Sequence, residues 1–174
     1  MIKNIILIEY LSAKRKKNEL YDLSILSEGI NMIEKLALDL AKNNTSKNIL
    51  VLRNKILNSK LNKKINYIFS SEKNNWLKVL KKYDTQSTAI ILIAPEIKNK
   101  LSVTSKKILD LGFKLLNSSE KSLKIFSSKL LTFKYLKKNQ IPCLKTYSHT
   151  SKIPKLNKSF VIKPNYGAGS KVFW

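Results

Sequence analysis

Short apolar runs alternate with amphipathic stretches along the first two thirds of the chain. Buried strands are predicted by runs rich in Ile, Leu and Val, at residues 3–9, 48–53, 65–69, 88–94 and 113–117. Helices are predicted where apolar residues recur at helical spacing, at Leu26, Ile30, Ile33, Ala37 and Leu40, at Trp76, Leu80 and Tyr83, and over residues 104–111. Because the connections are long enough to join parallel strands, the pattern predicts an α/β fold with an open, mostly parallel sheet.

Acidic residues and a glycine predict a site at the carboxyl edge of this sheet. Glu9 ends the first predicted strand, Glu96 follows the fourth, and Ser27-Glu28-Gly29 is positioned to open the first long helix. Ligands of open α/β sheets gather beyond the carboxyl ends of the strands, where such groups can hold the ammonium and carboxylate of an amino acid. Purely structural roles are the alternative, because Glu28 suits a first helical turn and Glu96 follows a proline at a turn.

The end of the chain carries a lysine and a glycine-rich turn. An apolar run at residues 159–162 leads into Lys163 and Pro164, and the turn that follows contains Gly167, Ala168, Gly169 and Ser170. Glycines let backbone N–H groups approach an anion, and a lysine beside them supplies a compact cation, so the segment predicts phosphate handling. An ordinary hairpin turn is the alternative. The spacing matches neither a Walker loop nor a dinucleotide fingerprint.

A second candidate for phosphate binding lies about thirty residues earlier. Ser128 predicts a cap for a helix over residues 129–138, with Leu130, Phe133 and Leu136 on its buried side. Lys129 then stands in the first turn, where its ammonium and the free N–H groups of the helix can face one phosphate. The alternative is that Lys129 is one of many solvated lysines.

The order of these motifs resembles that of the ATP-grasp superfamily. The last third of the chain resembles the start of the nucleotide domain of that family. The resemblance lies in residues 118–132, in Gln140-Ile141-Pro142 and Thr146, and in Lys163 with its glycine-rich turn. The first part of the chain resembles one branch of the family, the archaeal tyramine-glutamate ligase group. The resemblance lies in Ile8-Glu9-Tyr10, Ser27-Glu28-Gly29 with Met32, Ile93-Ala94-Pro95-Glu96, and Leu111-Gly112 before Asn117-Ser118-Ser119. Members of this group make amide bonds at the expense of ATP.

The resemblance implies a function and a set of site residues. Lys129 and Lys163 would contact the phosphates of ATP, and residues 167–170 would close over them. Residues 1–117 would form a Rossmann-like pre-ATP-grasp domain, and residues 118–174 an incomplete α+β ATP-grasp domain. The substrates would be ATP and a small amino-acid-like molecule. ATP would convert the carboxylate of a substrate to an acyl phosphate, and an amine would then displace the phosphate to give an amide.

The resemblance also implies a missing portion. The magnesium ligands of the family follow the glycine-rich loop, so no residue of this chain is assigned as a metal ligand. The chain is therefore expected to be truncated or split, to be inactive alone, and to need a complementary C-terminal chain for Mg²⁺-dependent catalysis.

Composition keeps a second function open. The formal net charge is +23 over 174 residues, which predicts nonspecific, salt-sensitive attraction to polyanions. Arg15 and Arg53 are the only arginines, although arginine makes the bidentate contacts to phosphate and guanine. Biased composition therefore explains the charge better than a selected nucleic-acid surface does. The alternative function is a non-enzymatic basic α/β module that binds nucleic acid or another acidic partner.

Cysteine and hydropathy patterns indicate the compartment. Cys143 is the only cysteine, so no internal disulfide can form, which fits a reducing compartment. Glu9 interrupts the apolar run near the start, and no run approaches the roughly 20 residues of a membrane span. The sequence predicts a cytoplasmic protein without a membrane segment.

Overall fold

The computed structural model describes residues 1–14, 23–43, 47–95, 99–148 and 161–167. The strands are β1 Asn4–Glu9, β2 Asn48–Asn54, β3 Asn66–Ser70, β4 Thr88–Ile93 and β5 Lys114–Leu115. The helices are α1 Tyr10–Lys14, α2 Leu23–Asn43, α3 Trp76–Leu80, α4 Lys100–Asp110, α5 Glu120–Phe126 and α6 Lys129–Lys138, with a 3-10 helix at Lys55–Lys60. These elements form two compact units, one of Met1–Ala94 and Val103–Asn117, the other of Pro95–Ser102 and Ser118–Trp174.

The first unit is built on a parallel sheet of five strands in the order β3-β2-β1-β4-β5. The central strand β1 has Leu7 level with Val51 on one side and with Ile91 on the other. Leu7 and Val51 are fully buried, as a sheet covered on both faces requires. The predicted α/β fold with an open parallel sheet is confirmed.

Strand β5 is shorter than the sequence pattern predicts, and a side chain extends it. The Leu116 N–H donates to the Ile90 carbonyl. The Asn117 side chain then makes two hydrogen bonds of 2.8 Å to the backbone of Leu92, with its Oδ1 accepting and its Nδ2 donating. An amide side chain carries the same donor and acceptor as a peptide group, so Asn117 continues the ladder without further strand residues.

Helix α2 covers one face of the sheet. Ile33 and Ala37 pack against the apolar side chains of β1 and β2, as the helical spacing predicts. The helix begins at Leu23, so Ser27-Glu28-Gly29 lies inside it and does not open it, contrary to the prediction. The reason is the position of Leu26, which is buried and extends the packed stripe toward the N-terminus.

In the second unit, two serines set the starts of two helices. The Oγ of Ser119 accepts from the Ser122 N–H at the start of α5, and the Oγ of Ser128 accepts from the Leu131 N–H at the start of α6. Helix α6 spans the predicted residues and has the predicted cap. No residue described in α5 or α6 is buried, so the predicted inner face of α6 is only half-covered.

The final described segment, residues 161–167, is extended but pairs at one point only. Tyr166 forms an isolated antiparallel bridge with Ser128, and residues 161–164 belong to no strand. Of the apolar run at residues 159–162, Val161 and Ile162 are described, and neither belongs to a strand. No helix in the described ranges is long and apolar enough to cross a membrane.

The two compact units divide the chain between Asn117 and Ser118, where the sequence predicts a domain boundary. The second unit also takes in Pro95–Ser102, which the prediction placed in the first domain. That residues 1–117 and 118–174 form separate domains stays a prediction.

Candidate functional site

Lys129 and the start of the glycine-rich turn lie together, as a shared phosphate site requires. The Lys129 Nζ donates to the Gly167 carbonyl at 3.0 Å, across 38 residues of sequence. The Lys129 backbone N–H donates to the Asn165 carbonyl, also at 3.0 Å. An ammonium carries three N–H groups, so the contact with Gly167 leaves two that can donate to a phosphate.

Asn165 joins this turn to helix α6. Its Oδ1 accepts from the Leu130 N–H and from the Ser128 hydroxyl, each at 3.0 Å. Ser128 is buried, and its own Oγ accepts from the Leu131 N–H. Asn165 and Ser128 thus cap the helix together, which sets the position of Lys129 relative to Gly167.

This double cap changes the chemistry that the sequence predicts for the helix start. The N–H groups of Lys129 and Leu130 donate to the backbone and side chain of Asn165. Those of Leu131 and Thr132 donate to the side chain and backbone of Ser128. The prediction that free helix N–H groups face a phosphate is therefore wrong, and the ammonium is the group that remains.

The rest of the predicted loop is described in part. Gly167 has φ +99°, a conformation that glycine adopts without strain, and among the described residues no atom lies within 4 Å of the position that a Cβ would occupy. Lys163 is exposed. Ala168, Gly169 and Ser170 lie outside the described residues.

We expect Asn165→Ala to loosen the junction between the turn and α6. Removing Oδ1 leaves the Leu130 N–H without its acceptor, and loss of a helix cap costs about 1 kcal/mol. Amide hydrogen exchange at Leu130 should therefore accelerate roughly fivefold. Asn139→Ala at the other end of α6 is the control, because Asn139 Nδ2 donates to the Tyr135 carbonyl and does not contact the turn. Unchanged exchange at Leu130 would contradict the capping role.

At the carboxyl edge of β1, Glu9 caps helix α1. Its two carboxylate oxygens accept from the Leu11 N–H at 2.9 Å and from the Ser12 N–H at 2.7 Å. Gly29 packs against this side chain, since a Cβ at Gly29 would lie 2.8 Å from the Glu9 Cδ. The structure thus brings Glu9 and Gly29 together, whereas Glu28 is exposed. Glu96 lies outside the described residues.

Arg53, which the sequence pattern did not mark as a site residue, is buried and lies in a polar cluster with the half-buried side chains of Glu34 and Tyr67. Its Nη1 forms an ion pair of 2.9 Å with the Glu34 Oε1, and the Tyr67 hydroxyl donates to the same oxygen at 2.7 Å. Burial, aided by this hydrogen bond, raises the pKa of Tyr67 to about 12, so the phenol keeps its proton at alkaline pH values where an ordinary tyrosine loses it. The available signal was an arginine at the end of an apolar strand in a lysine-rich chain.

The described residues do not hold a recognisable metal centre. Among them, no group of three or more His, Cys, Asp or Glu side chains is placed to bind a metal ion. Two acidic residues of the first unit serve other groups: Glu9 accepts from backbone amides, and Glu34 pairs with Arg53.

The fold and the site together define an open α/β protein with a Rossmann-like strand order, followed by a helix whose first lysine contacts a glycine turn. A similar structure is that of an Archaeoglobus fulgidus protein provisionally assigned to the ATP-grasp superfamily, with a TM-score of 0.63 and 22% sequence identity. The match covers 95% of this chain and 47% of that chain, so this chain spans about half the length of that protein. No protein-family model and no curated protein matches the sequence.

Proposed function

We propose that this chain is an ATP-grasp-type nucleotide-binding protein and the N-terminal part of an ATP-dependent carboxylate-amine ligase. The similarity to an ATP-grasp fold and the order of the motifs support the class. The observation that carries the proposal is the 3.0 Å contact between the Lys129 ammonium and the Gly167 carbonyl. A cation beside the first glycine of a glycine-rich segment supports the proposal, because phosphate sites combine such a cation with backbone N–H groups.

In the proposed site, the chain binds and orients the phosphates. Lys129, held by Gly167, and the exposed Lys163 would neutralise phosphate charge, and the proposed role of Ala168, Gly169 and Ser170 is to cover the phosphates. Transfer of a phosphoryl group from ATP to a substrate carboxylate would give an acyl phosphate. An amine would then displace phosphate to form the amide. The bound metal, Mg²⁺, would supply further charge neutralisation on the transferring group.

The proposal extends to the partners of the chain. The ammonium of Lys129 suits phosphate, but the described residues offer no carboxylate cluster for magnesium. We therefore propose that a complementary C-terminal portion supplies the metal ligands and that this chain alone has negligible turnover. The proposed substrate is amino-acid-like and binds beyond the carboxyl ends of the strands, with Glu9, Glu28, Gly29 and Glu96 as the proposed substrate-binding residues. The tyramine-glutamate ligase group is the proposed branch, and the cytoplasm the proposed compartment.

We expect Lys129→Ala to weaken ATP binding roughly tenfold to a hundredfold, because it removes charge-assisted hydrogen bonds to phosphate. Isothermal titration of the full chain with ATP at moderate salt measures this change. Lys134→Ala is the matched control, since Lys134 lies on the same helix and is exposed. Equal affinity of the two variants for ATP would remove the basis of the proposal.

The charge of +23 keeps a basic binding module as the second candidate. Affinity of such a module for DNA would fall steeply between low and moderate salt, in proportion to the phosphates contacted, and would not depend on Lys129 in particular. Titrating a DNA oligonucleotide and ATP against wild type and Lys129→Ala at two salt concentrations separates the two functions. Nucleotide binding requires sensitivity to Lys129 and discrimination of ATP from inorganic phosphate.

A further inference from the structure

Arg53 is the most buried charged side chain that the proposed function leaves unused. It lies near the carboxyl end of β2 and is 1% exposed. Its Nη1 pairs with Glu34, but its Nε and Nη2 have no hydrogen-bond partner in the part of the chain that the structure describes. Leaving a buried donor unpaired is unfavourable, so two such donors on one side chain call for a physical explanation.

The two unpaired nitrogens are those that share one edge of the guanidinium. The Nε–H and the Nη2–H bonds point the same way and form the fork that matches the two oxygens of a carboxylate or phosphate. Glu34 occupies the remaining nitrogen, and the Tyr67 ring lies under the group, with its centroid 5.0 Å from Cζ. Glu34 and Tyr67 thus orient the guanidinium while leaving its bidentate edge unpaired.

The position of Arg53 is one where open α/β sheets bind ligands. Ile8 and Leu52 are level in the sheet, so Glu9 and Arg53 are level one residue later, at the carboxyl ends of neighbouring strands. Alternation places both on the face that carries Leu7 and Val51. Two carboxylates lie near Arg53: that of Glu34, which pairs with it, and that of Glu9, which is level with it on the neighbouring strand. A singly charged anion is repelled by them less than a phosphate dianion is.

We propose that the Nε–Nη2 edge of Arg53 binds the carboxylate of a small-molecule ligand. The identification of this ligand as the substrate whose carboxylate reacts rests on the proposed function. Binding itself requires neither ATP nor Lys129. Because Arg53 is enclosed, the ligand enters when the sheet edge opens locally, and exchange between free and bound forms is slow.

Nuclear magnetic resonance of the full ¹⁵N-labelled chain tests this directly, because the sequence contains only two arginines. Comparison with Arg15→Lys assigns the two Nε–H signals. We expect titration with sodium acetate, and separately with glycine, to replace the Arg53 Nε–H signal by a bound-state signal in a saturable way. No such change, or the same change with sodium chloride at equal ionic strength, would overturn the proposal. Tighter binding of inorganic phosphate than of acetate would overturn the assignment to a carboxylate.

Arg53→Lys provides a second test, since it keeps the charge and removes the fork. We expect the affinity for glycine, measured by calorimetry, to fall roughly tenfold to a hundredfold. The control Arg15→Lys should bind glycine as wild type does. If Arg53→Lys does not fold, the wild-type titration still decides the matter. Loss of ATP binding in Lys129→Ala with an intact acetate response would show that the carboxylate site at Arg53 is independent of the proposed ATP site.

Discussion

We expect Glu34→Ala to lower the free energy of unfolding of the first unit by about 3 kcal/mol. The substitution leaves the Arg53 guanidinium buried without an anion and removes the acceptor of the Tyr67 hydroxyl. Removing one partner of a buried ion pair costs about 3–5 kcal/mol. The lower end applies because the Glu34 side chain keeps 18% of its exposure, so solvent screens part of the interaction.

The measurement is urea unfolding followed by the fluorescence of Trp76, which is buried in the first unit, in a Trp174→Phe background. Glu28→Ala is the matched control, because Glu28 is an exposed glutamate of the same helix. We expect that control to stay within about 0.5 kcal/mol of the parent. If the two alanine variants unfold at the same urea concentration, the ion pair does not stabilise the unit.

We expect Gly29→Ala to destabilise the first unit by about 1–3 kcal/mol, the range for overpacking a filled site. Alanine usually stabilises a helix interior relative to glycine, by about 1 kcal/mol. Here its Cβ would lie 2.8 Å from the Cδ of Glu9, closer than such atoms approach. Glu9 cannot move aside freely, because its carboxylate caps α1 through the N–H groups of Leu11 and Ser12.

A double-mutant cycle isolates this contact. In a Glu9→Ala background the obstruction is gone, so Gly29→Ala should cost little or should stabilise the helix. Asn31→Ala, at an exposed position of α2, reports the effect of helix propensity alone. The same penalty for Gly29→Ala in both backgrounds would show that Glu9 is not the obstacle.

Hydrophobic spacing predicted the scaffold well, for a reason that particular strands make clear. The runs at β1, β2 and β4 are apolar on both faces, and such runs belong to strands buried between two layers of helices. The shorter β5 shows the limit of the method. Asn117, the predicted end of this strand, bonds to β4 through its side-chain amide and not through its backbone. Strand propensity does not reveal such a side-chain contact.

The candidate phosphate site was predicted in outline and differs in its chemistry. Motif order placed Lys129 beside the turn that contains Gly167, and the two are in contact. The capping role of Asn165 was not predicted, because its Oδ1 reaches Leu130 across 35 residues of sequence. That cap consumes the helix N–H groups and leaves the lysine ammonium as the group that can meet a phosphate.

Elements that depend on near neighbours follow from the local pattern of residues. The helix over Lys129–Lys138 needs only a serine cap and helix-forming residues, and the strands need only runs of branched apolar side chains. The tertiary structure alone decided the strand order, the use of Glu9 as a helix cap and the burial of Arg53 with one edge unpaired. Those features arise when segments far apart in the chain exclude water together, and no local pattern specifies which polar groups are then left facing each other.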